Sequence, residues 1–197
     1  MKDPKSEFVP TTEEQLRRVT IGEPNVLNST IVIVDYDPSW PALYEVEATR
    51  IRGVLGDQVL RLEHVGSTSV FALAAKPIID MILVVADTTD EATYIPVLES
   101  AGYVLRIREP DWYQHRLFKG PDTNINLHCF SDGCPEIERM LRFRDWLRSN
   151  DFDRLLYERT KRELAAKTWK YVQNYADAKT SVVEEILARV PDTLTTT

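Results

Sequence analysis

The chain has 197 residues, 43% apolar and 28% charged, which suits one globular domain of moderate size with its own core. No run approaches the ~20 apolar residues that span a bilayer, the stretch MKDPKSEFVPTTEEQ lacks an apolar secretory core, and two cysteines, Cys129 and Cys134, make no disulfide framework; a cytoplasmic protein without a membrane partner is expected. The formal net charge of −7 argues against a general nucleic-acid coat, but the charge is uneven: residues 1–100 hold 8 basic and 16 acidic side chains, residues 101–197 hold 16 and 15. An anion-binding face is therefore expected to draw on the second half.

In chain order, residues 1–28 read as a loose N-terminal arm, with Thr11 and Glu14 as a capping box for a short helix over 13–19. Residues 31–34 read as a strand, and Ser39 is placed to cap a helix over 41–55 with Leu43, Val46, Arg50 and Val54 on one stripe and Gly56 as its stop. Residues 58–65 alternate, setting Leu60, Leu62 and His64 on one face of a strand and Arg61, Glu63 and Val65 on the other. A loop, Gly66-Ser67-Thr68-Ser69, follows, then a helix-like piece, VFALAA, which Pro77 ends. Residues 78–85, IIDMILVV, are the most apolar run and predict a central strand covered on both faces. A helix over 91–100 stops at Gly102, and residues 103–108, 115–119 and 124–130 read as three further strands, partly antiparallel. The last third predicts helices over 135–149, 152–167 and 170–190, then a polar tail, 191–197. The layout is α/β, a mixed sheet with flanking helices and a helical C-terminal part, in one domain over 29–190.

Asp80 stands out because its neighbours on both sides in that central strand are apolar. A lone carboxylate there costs several kcal/mol unless a cation or hydrogen bonds compensate it. It is either a core acid satisfied by backbone N–H groups or a basic side chain, or a functional one. Lys76, four residues earlier, is either its partner or a phosphate ligand. Beside it, Gly66 would let backbone approach a ligand closely, and Ser67 and Thr68 supply hydroxyls. An adjoining acid can hold a divalent metal that bridges phosphate oxygens. Together these are the parts of a nucleotidyl-transfer site.

The segment LEHVGSTSVFALAAKPIIDMILVV resembles the signature of the GrpB family, whose members are similar to the nucleotidyltransferase superfamily. HRLFKG, NLHCF, FRDWLR, YERTKRELA and a last helix with Tyr175 and Lys179 resemble that family too, so the resemblance runs from about residue 31 to 190. It implies a nucleotidyltransferase-like fold in which Gly66 and Ser67 match the superfamily's Gly-Ser pair and Asp80 its first strand acid, with magnesium as the implied metal. The superfamily's second acid falls on Ile82, so one metal or none is the expectation here. Phe71-Ala72 stands where the family commonly has Pro-Gly, which suggests that Phe71 fills or lines the pocket. Such domains also resemble the C-terminal extension of some dephospho-coenzyme A kinases, and part of the wider group is similar to fungal tRNA-dependent synthases of arginine-containing cyclic dipeptides.

Two side chains are candidates to replace the missing acid: Glu63, just before the loop, and His128, which shares a strand face with Asn126. His64, on the face of Leu60 and Leu62, reads as a core histidine that braces the loop. Arg116, Lys119, Arg144, Lys161 and Lys179 are candidates to neutralise phosphate, Arg144 and Lys161 if they face the sheet. Trp112, Tyr113, Trp146, Trp169 and Tyr171 could stack on a base or serve as packing anchors. Three functions fit this set: an enzyme that transfers a group from a nucleotide or nucleotide-bearing substrate, a cyclodipeptide synthase that uses aminoacyl-tRNA, or a nucleotide sensor without catalysis.

Overall fold

The computed structural model describes residues 10–191, so residues 1–9 of the expected arm and 192–197 of the expected tail lie outside the described residues. The elements run α1 (Glu13–Val19), β1 (Val26–Ser29), α2 (Trp40–Leu55), β2 (Arg61–Val65), β3 (Ile79–Val85), α3 (Glu91–Ser100), β4 (Val104–Glu109), β5 (His115–Lys119), β6 (Ile125–Ser131), α4 (Pro135–Ser149), α5 (Asp151–Ala165), β7 (Trp169–Tyr171), α6 (Val172–Ala178) and α7 (Thr180–Leu187). A five-stranded mixed sheet has the order β2-β3-β6-β5-β4, with β3 and β6 parallel and the other pairs antiparallel.

Apart from Asp80, β3 is apolar, which suits its interior place. Met81, Leu83 and Val85 pack with α2 and α3 on one side, while Ile82 and Val84 pack with Val65, Phe130, Ile137 and Leu141 on the other. Each such side chain contributes about 1.5–3 kcal/mol on burial. The second side is the functional one. Register sets Val65, Asp80 and Asn126 in one row across it and Glu63, Ile82 and His128 in the next. Helices α4 to α7 cover this face.

Several local expectations are corrected. The capping box of α1 is Thr12 with Gln15, one residue beyond Thr11 and Glu14. Residues 10–28 are tied to the body: Thr20 bridges Ile107 and β1 pairs with β7. Residues 31–34 form no strand beyond a single bridge from Val34 to Ala75. In α2 the buried face is Trp40, Glu47, Ala48, Ile51 and Leu55, while Leu43, Val46 and Val54 are exposed. VFALAA is turn and extended chain, with Ala72 at φ 58°. The last predicted helix breaks into β7, α6 and α7, with a joint at Lys179.

Candidate functional site

The Gly66–Ser69 loop is held from every side. Ser69 Oγ donates to the Gly66 carbonyl at 2.6 Å, and Thr68 Oγ1 sits 3.0 Å from His64 Nε2 and donates to the Ile78 carbonyl. From α4, Arg148 donates twice to the Ser69 carbonyl, at 3.1 and 3.0 Å. From α5, Glu158 accepts the Ala74 N–H at 3.2 Å. His64 stacks on Tyr44 at 4.9 Å, and burial pulls its proton affinity down to about 4, so it braces the loop as a neutral ring.

Gly66 has φ +67°, and a Cβ built on it would lie 2.5 Å from Asp80 Oδ2. The bare glycine is therefore what lets the Asp80 carboxylate lie against the loop. Asn126 Nδ2 donates to Asp80 Oδ1 at 2.7 Å, and Asn126 Oδ1 accepts from Lys119 Nζ. Asp80 is 31% exposed and opens on a cavity of about 90 Å³, lined also by Gly66, Ser67, Lys76, Lys161, Tyr175 and Lys179.

Three lysines thus converge opposite one carboxylate. Lys161 is 2% exposed and donates to Ser67 Oγ at 2.9 Å and to the Ala74 carbonyl. Lys179 lies 4.7 Å above the Tyr175 ring and Lys76 5.7 Å from the same ring. Burial first, then the Lys179 charge, lowers Lys161 to about 7 and Lys76 to about 8. Burial lowers Lys119 and Lys179 as well, and Asp80 opposes the shift in all four. Tyr175 is 1% exposed, and its buried hydroxyl finds no hydrogen-bond partner among the described residues. A second, larger cavity of about 390 Å³ adjoins at Gly66, Ser67, Tyr157 and Lys179, with Met140, Phe143 and Leu147 among its walls.

The structure brings Asp80, Gly66, Ser67, Lys76, Lys161 and Lys179 together, with Lys119 and His128 behind Asp80. Thr68 lines the small cavity, but its hydroxyl is engaged with His64 and Ile78. Glu63 and Arg144 bond to each other at 2.8 Å, with Arg144 also bound to the His64 carbonyl and Asp145; Arg144 lines the larger cavity with Gly66, Ser67 and Lys179, and Glu63 lines neither cavity. Arg116 faces the other side of the sheet, where it holds Glu91 at 2.6 Å and the Gln114 carbonyl at 2.7 Å. Phe71 is 75% exposed against Tyr36 and does not line either cavity. Trp146 donates to Asp153 and Trp169 to the Leu164 carbonyl, so both are anchors. Tyr157, Tyr175 and Phe143 are rings at the cavities. Sequence reasoning missed Tyr157 and the acceptor role of Asn126, although Asn126 stands two residues before His128 on the same face.

The donors do not fit a magnesium ion. Asp80 offers the carboxylate, Ile82 is fully buried where a second acid would stand, and Asn126 Oδ1 is taken by Lys119. The charged side chains on the other walls are Lys76, Lys161 and Lys179. Among the described residues no group of three or more His, Cys, Asp and Glu side chains is placed to hold a metal ion, and none of their helices is long and apolar enough to cross a membrane.

A mixed sheet carrying a lysine-ringed carboxylate beneath a Gly-Ser loop defines the class of protein. The family model described as GrpB protein matches residues 30–189, and the chain belongs to that family. It is 60% identical over 189 residues to the UPF0157 protein BH1888 of Halalkalibacterium halodurans, covering 96% of each. It is similar to the crystal structure of conserved protein GrpB from Enterococcus faecalis, at 32% identity and TM-score 0.68, over 80% of this chain and 98% of that one. A cytoplasmic RNA terminal U-transferase is similar at 12% identity and TM-score 0.40, over 68% of this chain and 42% of that one, a distance at which site and activity do not transfer.

Proposed function

We propose that the protein binds a nucleotide or nucleotide-bearing substrate and transfers a group from it, with Asp80 as the residue that handles the proton or orients the nucleophile. The observation that carries this reading is the convergence of Lys76, Lys161 and Lys179 on one small cavity floored by Gly66 and Ser67. Burial first, and then repulsion from the Lys179 charge, lowers Lys76 and Lys161 in this low-dielectric space. A phosphate there relieves that repulsion and gives each lysine a strong acceptor. The buried Tyr175 hydroxyl gains an acceptor from the same ligand. The larger cavity has the size and the mixed apolar wall suited to a base and sugar. In this reading fixed lysines take the charge-neutralising role, and Asp80, set by Asn126 and by the bare Gly66, faces the reacting end.

The nucleotide is favoured over an aminoacyl-tRNA because much of the arginine of the last third is already paired: Arg139 with Glu136 and Glu184, Arg162 with Asp35 and Glu158, and Arg148 with Asp145. A tRNA backbone needs such side chains free. A second reading, a nucleotide sensor without catalysis, is favoured by Ile82, which is packed among apolar side chains where a catalytic acid would be. The two readings separate on Asp80→Asn. If the protein is a transferase, the variant keeps nucleotide binding within a few-fold and loses product formation from labelled ATP or GTP. Unchanged turnover at unchanged stability would overturn the role of Asp80, and binding without product in the wild type would favour the sensor.

A further inference from the structure

A second line of titratable groups reaches the Asp80 cavity from behind. Glu109 ends β4 and pairs across the sheet with His115, which opens β5. His115 Nδ1 lies 2.7 Å from Glu109 Oε2, His115 Nε2 lies 3.0 Å from His128 Nδ1, and His128 Nε2 lies 4.0 Å from Asp80 Oδ1. The rings are fixed by packing. His115 is 3% exposed, stacks on His128 at 5.2 Å and on Phe130 at 4.8 Å, and meets the edge of Trp112 at 5.1 Å. Glu109 is 29% exposed at the far end, and Asp80 opens on the cavity at the near end.

We propose that Glu109, His115 and His128 form a proton relay between solvent and the Asp80 end of the cavity. Hydrogen-bond direction dictates how it works. With Glu109 a carboxylate, His115 Nδ1 carries a proton and donates it. A neutral His115 then has a bare Nε2, so His128 must donate from Nδ1 and its own Nε2 is bare and turned toward Asp80. When the Asp80 carboxyl, having taken a proton from the cavity, closes on His128 and gives that proton to Nε2, the Asp80 O–H bond breaks and an Nε2–H bond forms. The His128 Nδ1–H proton passes to His115 Nε2. His128 is left neutral in its other tautomer, and the positive charge rests on His115 beside Glu109. The reverse sequence returns the proton to the cavity.

The surrounding charges favour that resting place. Burial, His115 and Lys119 hold the proton affinity of His128 down to about 3, so a lasting cation on that ring is unfavourable. His128 faces Asp80 from β3 and Lys119 from β5. His115 faces Glu109 from β4, and its charge also acts on Glu136 of α4. The relay rests on the cavity of the proposed site but not on which ligand fills it, so either claim can fail while the other stands.

The test is long-range ¹H–¹⁵N NMR of the imidazoles in the full chain across pH. There are three histidines, and His64, bound to Thr68, is the internal reference. Across the pH range His128 is expected to change from the Nδ1–H to the Nε2–H tautomer, and Glu109→Gln, which removes the carboxylate that holds the His115 Nδ1 proton, is expected to abolish that change. A His128 that keeps one tautomer throughout overturns the relay, as does a tautomer change that is the same in Glu109→Gln.

Discussion

Gly66 illustrates what one residue contributes here. Its positive φ and the 2.5 Å approach of Asp80 to the place of a missing Cβ mean that any side chain must distort the loop or displace the carboxylate. Gly66→Ala is expected to lose roughly 1–3 kcal/mol of stability, and an unchanged urea midpoint would contradict the fit. Tyr175→Phe should behave in the opposite way. Removing a buried hydroxyl without a partner leaves stability unchanged or slightly higher, while nucleotide affinity falls about five- to tenfold if the ligand supplies the acceptor. Equal affinity in variant and wild type would show that the hydroxyl meets no ligand. At this scale the Gly-Ser loop and Asp80 were legible because they sit close together in the chain and a carboxylate in an apolar strand is conspicuous. The ion pairs of Arg116 and Arg144 were not, because their partners Glu91 and Glu63 lie 25 and 81 positions away and only the fold brings them into contact. Glu109 and His115 escaped for the same reason: their link to Asp80 runs across three pairs of strands.

The elements were legible where periodicity and burial agree. β3, α3, β5 and α4 carry unambiguous patterns and lie within a residue of their expected bounds. The misreadings have physical causes. α2 carries apolar side chains on more than one face, and the stripe of Leu43, Val46 and Val54 is the exposed one because Trp40, Ile51 and Leu55 dock on the sheet. VFALAA has helical composition, but Lys161 and Glu158 of α5 bind the chain around Ala74, and the backbone follows those bonds. The break between α6 and α7 turns on Lys179, whose ammonium is held toward Asp80 and the Tyr175 ring. Between elements, the ion pair of Arg144 and Glu63 fastens α4 to β2. Arg144→Ala is expected to destabilise by about 3 kcal/mol, and Arg144→Met combined with Glu63→Met to recover much of that loss. A double variant as unstable as the single one, in urea unfolding, would mean that the pair is not what fastens the helix.

Across the whole molecule, the α/β class and the mixed sheet followed from the order of apolar runs, whereas the shape of the site did not, because it is assembled from β3, the loop, α5 and the α6–α7 joint. That assembly has a consequence for pH. Lys161 and Lys76 hold their protons less tightly in the folded chain, near 7 and 8, than at the ordinary value of 10.5. The unfolded chain therefore binds more protons above about pH 7, and stability should rise from pH 7 to 9. Lys161→Met should flatten that rise, and an equal slope in the variant would count against the assignment. The measurement that bears most directly on the proposed site is calorimetric titration of the full chain with ATP, GTP and dephospho-coenzyme A, in chelator and again with magnesium. Binding of at least one of them in chelator, weakened at least tenfold in Lys161→Met, is the predicted result. No binding to any of the three, or binding that appears only with magnesium, would contradict a site built on lysines.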